Sequence, residues 1–390
     1  RWSGMPAAHS LPIRSEIFSG TEHAMKKVGF IINSRVPEVA SLRAGMLPHQ
    51  LLTGWDDAGS PMSFMRFRWV AEEVNRSGEL YYELYRPWRR YDAVVFLKSM
   101  GKHCEAKLAR LKERGTKTVF EANVDYYTEG PTQNLPGELA PTEEQRRTAI
   151  AMTGNADAVI ASSTELARVC LGYARGVTDV SDNIVPSVVP SSDPPPCVQG
   201  GVLHLWWSGM AAKLYDFLSV AGALSAHSKH LHIHFVTGDF NEARQKWPAE
   251  ISRNMDELLS RVRHTFHHFR GIPDLLRLYS THGGAIVSPR YLDSPYNRSH
   301  TEWKLALGLA CGLPGIGSPQ PSYVEAAAFS QGALQICGDE HQWKKAIENI
   351  LRDPEGAHCR GINGRNAITE TYGTPRVAAR HAAVLRNLLT

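Results

Sequence analysis

Between His300 and Ser318 the chain reads His-Thr-Glu-Trp-Lys-Leu-Ala-Leu-Gly-Leu-Ala-Cys-Gly-Leu-Pro-Gly-Ile-Gly-Ser, and no other segment constrains the fold as much. Trp303, Leu305, Ala306, Leu307, Leu309 and Ala310 make it apolar almost all round, which predicts a helix packed inside a large α/β domain rather than on a surface. Gly312 supplies the C-cap, Pro314 stops the helix, and residues 315–318 read as a short strand leading to an open loop. Glu302 and Lys304 sit in the first turn. A buried helix carries such charges only with a use for them, because an unpaired ammonium in apolar surroundings is costly.

The rest of the chain supplies strands and helices in alternation. Residues 28–33, 93–97, 118–121 and 158–161 are short apolar runs that suit parallel strands, with helices expected at 40–53, 104–114 and 143–152. Residues 186–196, containing Ser-Ser-Asp-Pro-Pro-Pro, form the richest breaker stretch and read as a linker. The alternation then repeats, with strands at 203–206, 231–236 and 285–287 and helices at 213–226 and 255–262. With 390 residues, 43% of them hydrophobic, there is enough chain for two such α/β domains with separate cores. The expected division is a leader or extension at 1–24, a first domain at 25–190, a linker at 191–200, a second domain at 201–373 and a terminal helix at 374–390. Met25 then reads as a natural start entering the first strand.

Several function classes lose their support. A formal charge of +4 without a dense Lys/Arg stripe predicts no nucleic-acid binding. No run of about eighteen apolar residues spans a bilayer. The six cysteines are scattered without a C-x-x-C, so neither a disulfide framework nor a zinc site is expected, and a cytoplasmic setting follows. No G-x-G-x-x-G and no G-x-x-x-x-G-K-[ST] occurs, which removes the dehydrogenase and P-loop readings. His230, His232 and His234 alternate along one strand face in a chelating spacing, but no acidic or cysteine partner lies near in sequence, so no metal site is expected there. His264, His267 and His268 read as a polar loop. Tyr81-Tyr-Glu-Leu-Tyr-Arg-Pro-Trp-Arg-Arg90 suits an acceptor surface, a peripheral contact with an anionic membrane, or a plain exposed loop.

The pattern Lys-x-x-x-x-x-Ala-x-Gly-x-Pro from Lys304, followed by a short strand and Ser318, resembles the donor-binding segment of retaining glycosyltransferases of the two-Rossmann-domain (GT-B) type, the family 4 kind. The resemblance runs on through Tyr91-Asp-Ala-Val-Val-Phe-Leu-Lys98, Gly115-Thr-Lys-Thr-Val-Phe-Glu121, Asn155-Ala-Asp-Ala-Val-Ile-Ala-Ser-Ser163, Gly271-Ile-Pro-Asp-Leu-Leu276 and Pro321-Ser-Tyr-Val-Glu325, all in the family's order. It implies two Rossmann-like domains facing each other across a cleft, a nucleoside-diphosphate-sugar donor on the second and a hydroxyl acceptor (glycan, lipid-linked saccharide or small molecule) on the first. Sugar transfer leaves charge on a departing diphosphate, which needs fixed cations or helix N-termini. The resemblance places Lys304 and Lys213 there, with Ser208 and Gly209 in the glycine loop and His300, Ser318 and Tyr323 around the donor. Lys213 also admits the plainer reading of a solvated helix residue.

The chain departs from the family in two acids. Where two glutamates eight residues apart are usual, the matching positions are Ser299 and Leu307. Glu302 is the nearest carboxylate and takes either their contact with donor hydroxyls or the role of a favourable charge at a helix N-terminus. On the acceptor side the expected residues are Arg43, Glu121 and Asp125, with Asp125 or Glu121 orienting the acceptor hydroxyl; ordinary loop acids are the simpler account of the two carboxylates. The absence of Asp-x-Asp predicts transfer without metal or other cofactor. A nucleotide-sugar epimerase and a non-catalytic carbohydrate-binding protein are the rival readings.

Overall fold

A computed structural model describes residues 25–32, 64–129, 141–182 and 189–390. Two parallel sheets organise it. The first holds β1 (Lys26–Ile32), β2 (Leu80–Leu84), β3 (Ala93–Leu97), β4 (Lys117–Ala122), β5 (Ala158–Ala161) and β6 (Val177–Asp179) in the order β2-β1-β3-β4-β5-β6. The second holds β7 (Val198–Gln199), β8 (Val202–Ser208), β9 (Leu231–Thr237), β10 (Arg263–His268), β11 (Ala285–Ser288), β12 (Gly315–Gly317) and β13 (Leu334–Ile336). Its order is β10-β9-β8-β11-β12-β13, with β7 antiparallel on β8. Strands such as Ala-Val-Val-Phe-Leu in β3, buried at every residue, are what a parallel sheet covered on both faces demands.

Strand order decides where a ligand can sit. In the second sheet the chain winds outward from β8 to β10, then returns to the other side of β8 with β11, which makes β8/β11 a topological switch point. Loops leaving the carboxyl ends of those two strands diverge there and open a crevice. The first sheet has its own switch between β1 and β3. The chain after β3 turns through Lys98, a non-glycine residue at φ 47°.

Four local expectations are corrected or moved. Residues 80–84 form an edge strand, not an exposed loop, because Leu80 and Tyr82 face a core and the segment pairs in parallel with β1. Residues 263–268 likewise pair with β9 as a strand, despite three histidines. Ala211–Val220 is a 3-10 helix that precedes a short α-helix, so Lys213 lies in a tight first turn. Val198–Gln199, inside the expected linker, belongs to the second sheet. The expected helix at 40–53, and Arg43 with it, lie outside the described residues. Among the described residues the six cysteines are free, and no helix is long and apolar enough to cross a membrane.

The terminal helix Thr374–Leu389 packs Val377, Ala378, Ala382 and Leu385 into the core of the first sheet. Its His381 reaches a buried charge network. Arg66 donates from Nε to Glu121 Oε1 at 2.6 Å and from Nη1 to the Val180 carbonyl at 2.5 Å, and its Nη1 lies 3.2 Å from Asp182 Oδ1. His381 Nε2 is 3.3 Å from Glu121 Oε2, and its Nδ1 is 3.0 Å from Tyr82 Oη. Burial alone would push the Glu121 carboxyl up, but Arg66 and His381 hold it below its usual range. Glu121 therefore ties strand β4, the Arg66 segment and the terminal helix together, with no exposed surface of its own.

Removing one partner of a buried pair strands the other charge. Glu121→Gln should cost about 3–5 kcal/mol in denaturant unfolding. A loss below about 1 kcal/mol, the scale of an exposed pair, would contradict this role.

Candidate functional site

The crevice between β8 and β11 collects cations. Ser208 ends β8, buried and bonded to Tyr279 Oη at 3.2 Å, and Gly209 follows it. A Cβ on Gly209 would collide with Lys304 Nζ and come within 2.9 Å of the Trp207 ring. Glycine is needed here for space. Lys304 rises from the buried helix Trp303–Ala310 and places its Nζ 4.8 Å from the Trp207 ring centre, with no hydrogen-bond partner among the described residues. Burial, followed by the Arg290 charge, holds its ammonium well below the usual lysine range.

Lys213 enters from the 3-10 turn, buried, with Nζ 2.6 Å from His300 Nε2 and 4.9 Å from the centre of the Tyr296 ring. The tautomer of His300 follows from its other nitrogen. Nδ1 lies 2.8 Å from the Tyr296 carbonyl, which can only accept, so Nδ1 carries the proton and Nε2 accepts from Lys213. Burial and the surrounding cations keep the His300 ring neutral, its pKa held well below the usual range. Lys213 is lowered as well, by burial first and then by Arg290 and Lys304.

Arg290, just past β11, is the third cation and was not foreseen from the sequence. Its Nη1 donates to Asp216 Oδ2 at 3.1 Å, with both side chains 2% exposed or less. Ser318 Oγ accepts from the Arg290 backbone N–H at 2.9 Å, and Tyr323 Oη, bonded to Ser288 Oγ at 2.7 Å, sits 3.4 Å from Arg290 Nε. Ser318 and Tyr323 thus brace Arg290. The available signal was position: a charge directly beyond a strand's carboxyl end in an α/β sheet marks the ligand side. A fourth cation, Lys98 of the first domain, also acts on Lys213.

The loop 299–301 joins this cluster to the first domain. Ser299 Oγ accepts from the Asp125 backbone N–H at 3.1 Å, Ser163 Oγ donates to the Ser299 carbonyl at 2.7 Å, and Thr301 Oγ1 donates to Asp182 Oδ2 at 2.6 Å. Gln320 and Ser322 clamp the His300 carbonyl. Asp125 is buried, and its Oδ1 accepts from the Tyr127 and Thr128 backbone N–H groups at 2.8 and 2.9 Å. That carboxylate shapes a turn at the domain contact. Glu121 is engaged through both oxygens by Arg66 and His381, so that expected acceptor acid presents no open carboxylate, whereas Asp125 engages only its Oδ1 in the turn.

Glu302 stands apart from the lysines. The charges acting on it are Asp182, Glu325 and Arg66, its Oε1 has no hydrogen-bond partner, and burial first, then those neighbouring acids, push its carboxyl up to about 8. Glu302 thus lies on the other side of the helix start from Lys304, at the N-cap position of Trp303–Ala310. An acid whose pKa rises on folding gives its full stability below the unfolded value near 4.5 and loses it as pH climbs toward about 8. Glu302→Gln should therefore gain on the wild type between about pH 5 and pH 8, by roughly 1.4 kcal/mol per pH unit at most. Thermal unfolding at several pH values measures this; parallel profiles would contradict it.

No protein-family model matches the chain, and no curated protein matches it with significance. Solved structures do. The chain is similar to sucrose-phosphate synthase from Thermosynechococcus elongatus, 18% identical, over 76% of this chain and 74% of that one with a TM-score of 0.56. It is similar to HepE of Anabaena in complex with UDP-glucose, 12% identical, over 93% and 100%, at 0.59. A glycosyltransferase from Rickettsia africae ESF-5 aligns at 10% identity over 94% and 100%, at 0.57. With its two parallel sheets and these likenesses, the chain has the GT-B fold of two Rossmann-like domains.

Proposed function

We propose that this protein transfers a glycosyl group from a nucleoside-diphosphate sugar to an acceptor hydroxyl. The observation that carries the reading is an excess of buried positive charge at the switch point. Lys213, Lys304 and Arg290 converge around one carboxylate, Asp216, and the Lys304 ammonium lacks any hydrogen-bond partner among the described residues. An anion with several oxygens is the ligand such a site is built to receive. HepE, which shares the fold, binds UDP-glucose. A diphosphate at the β8/β11 crevice would meet the cations as its bond to the sugar breaks and negative charge accumulates on it.

The finer features of the reading follow the same chemistry. The one carboxylate in the cluster is already held by Arg290, so no free acidic pair stands ready for a divalent ion, and the cations themselves supply the charge. Transfer without metal fits this arrangement. Retention of configuration fits a phosphate oxygen taking the acceptor proton on the face where it departs, with no closely set pair of catalytic carboxylates. His300 acts by orienting Lys213 through its Nε2 lone pair.

Thermal-shift titration with UDP, GDP, dTDP and ADP sugars, followed by product analysis with mixed acceptors, tests the function. A donor that binds without yielding any glycosylated product would sink it. Lys304→Ala should lower kcat by about two to three orders of magnitude in a folded protein, the scale of losing one oxyanion donor. Gly209→Ala should fold and lose donor affinity, since the new methyl group takes the Lys304 position. Near-normal turnover in both would contradict the site.

The depressed lysines add a pH signature. A bound diphosphate favours their ammonium forms and raises both depressed values, so binding takes up protons and affinity falls as pH rises from the free lysines' lowered range toward the bound one. Calorimetry in buffers of different ionisation enthalpy measures that uptake. A pH-independent affinity with no proton exchange would exclude titrating lysines from the site.

A further inference from the structure

A second constellation lies on the same sheet, in the amino-terminal halves of β8 and β9. His204 pairs in register with His232, and Trp206 with His234, so the strand period of two puts all four rings on one face. One ring nitrogen from each of His204, His232 and His234 lies within 4.8 Å of the others. His204 Nδ1 and His234 Nε2 are 2.9 Å apart and share a proton. Two nitrogens bound to one transition ion at about 2.0–2.1 Å stand about 3 Å from each other, which is this spacing.

The rings are also held as ligands are held. His234 Nδ1 is 3.1 Å from His267 Nε2, and His232 Nε2 is 2.9 Å from Thr265 Oγ1, both partners coming from the neighbouring strand β10. Such outer contacts fix the ring orientation of metal-binding histidines. The Trp206 ring stacks on His234 at 4.2 Å and backs it with apolar surface. His204 and His232 are only half-buried, which leaves the cluster open to solvent on one side.

We propose that His204, His232 and His234 form a site for a divalent transition ion, zinc foremost, with His267 as the residue that orients His234. Three imidazoles suit zinc, copper or nickel rather than magnesium or calcium. The ion replaces the proton shared by His204 and His234, and the His232 nitrogen already within 4.8 Å of the other two completes the triangle. His204 lies four residues before Ser208, about 13 Å along an extended strand. The site is thus separate from the cation crevice and from the proposed transfer reaction.

Zinc titrated into the metal-stripped full chain should bind at one ion per chain and raise the unfolding temperature. His204→Gln/His232→Gln should abolish that binding and leave nucleotide-sugar binding unchanged. His267→Gln should weaken it about 10–100-fold, as the loss of an outer partner does. Cobalt(II) added to the unmodified chain gives an independent readout, the visible absorption of a nitrogen-ligated ion. Binding that is absent or only weak and non-stoichiometric, or that persists in the double variant, would overturn the proposal.

Discussion

Three cations and one carboxylate share a space nearly closed to water, and this imbalance is the constraint around which the second domain is arranged. Each cation is relieved in its own way. Arg290 has Asp216, Lys213 has the lone pair of His300 and the face of Tyr296, and Lys304 has only the face of Trp207. Isolated buried charge is among the most expensive things a fold can carry. The surroundings answer with packing, since Leu305, Ala306, Leu307 and Leu309 seat the helix that bears Lys304 in the core while the lysine side chain itself is half-buried. Poise of this kind belongs to functional sites, where local cost is borne by the rest of the structure.

The same constraint links the two domains. Ser299 and Thr301 bond to the first domain, while His300 between them accepts from Lys213. Three consecutive residues therefore carry both the interdomain contact and the support of a cation. The first domain is steadied at the other end by His381, which brings the terminal helix onto Glu121.

Much of this architecture could be read from local pattern. The buried helix, its Gly312 and Pro314 terminus and the apolar strands at 93–97 and 158–161 follow from neighbouring residues, and Lys304 drew notice because it interrupts an apolar surface. Arg290 and Asp216 escaped because their meaning depends on a pairing across a sequence separation of 74. The histidines at 232 and 234 showed a chelating period, yet His204 arrives from another strand, so the third ring was invisible to spacing. Leu80–Leu84 misled for a different reason. Tyr82 and Glu83 are polar by type, and only pairing with β1 makes them interior.

Glu302 shows how helix geometry overrules closeness in sequence. It precedes Lys304 by two residues, and with 3.6 residues per turn that separation turns side chains to nearly opposite sides. One side of the helix start meets the cation crevice, the other Asp182, Glu325 and Arg66. An acid placed among acids, with one oxygen unpartnered, is raised by burial to about 8, while a lysine placed among cations is depressed. Both ionisable groups move toward neutrality for the same physical reason, the scarcity of water, and they differ in what could reverse it. Another cation would favour the ionised form of Glu302 and an anion the ammonium form of Lys304, and of these two surroundings only the β8/β11 crevice holds several donors, Lys213, Lys304 and Arg290.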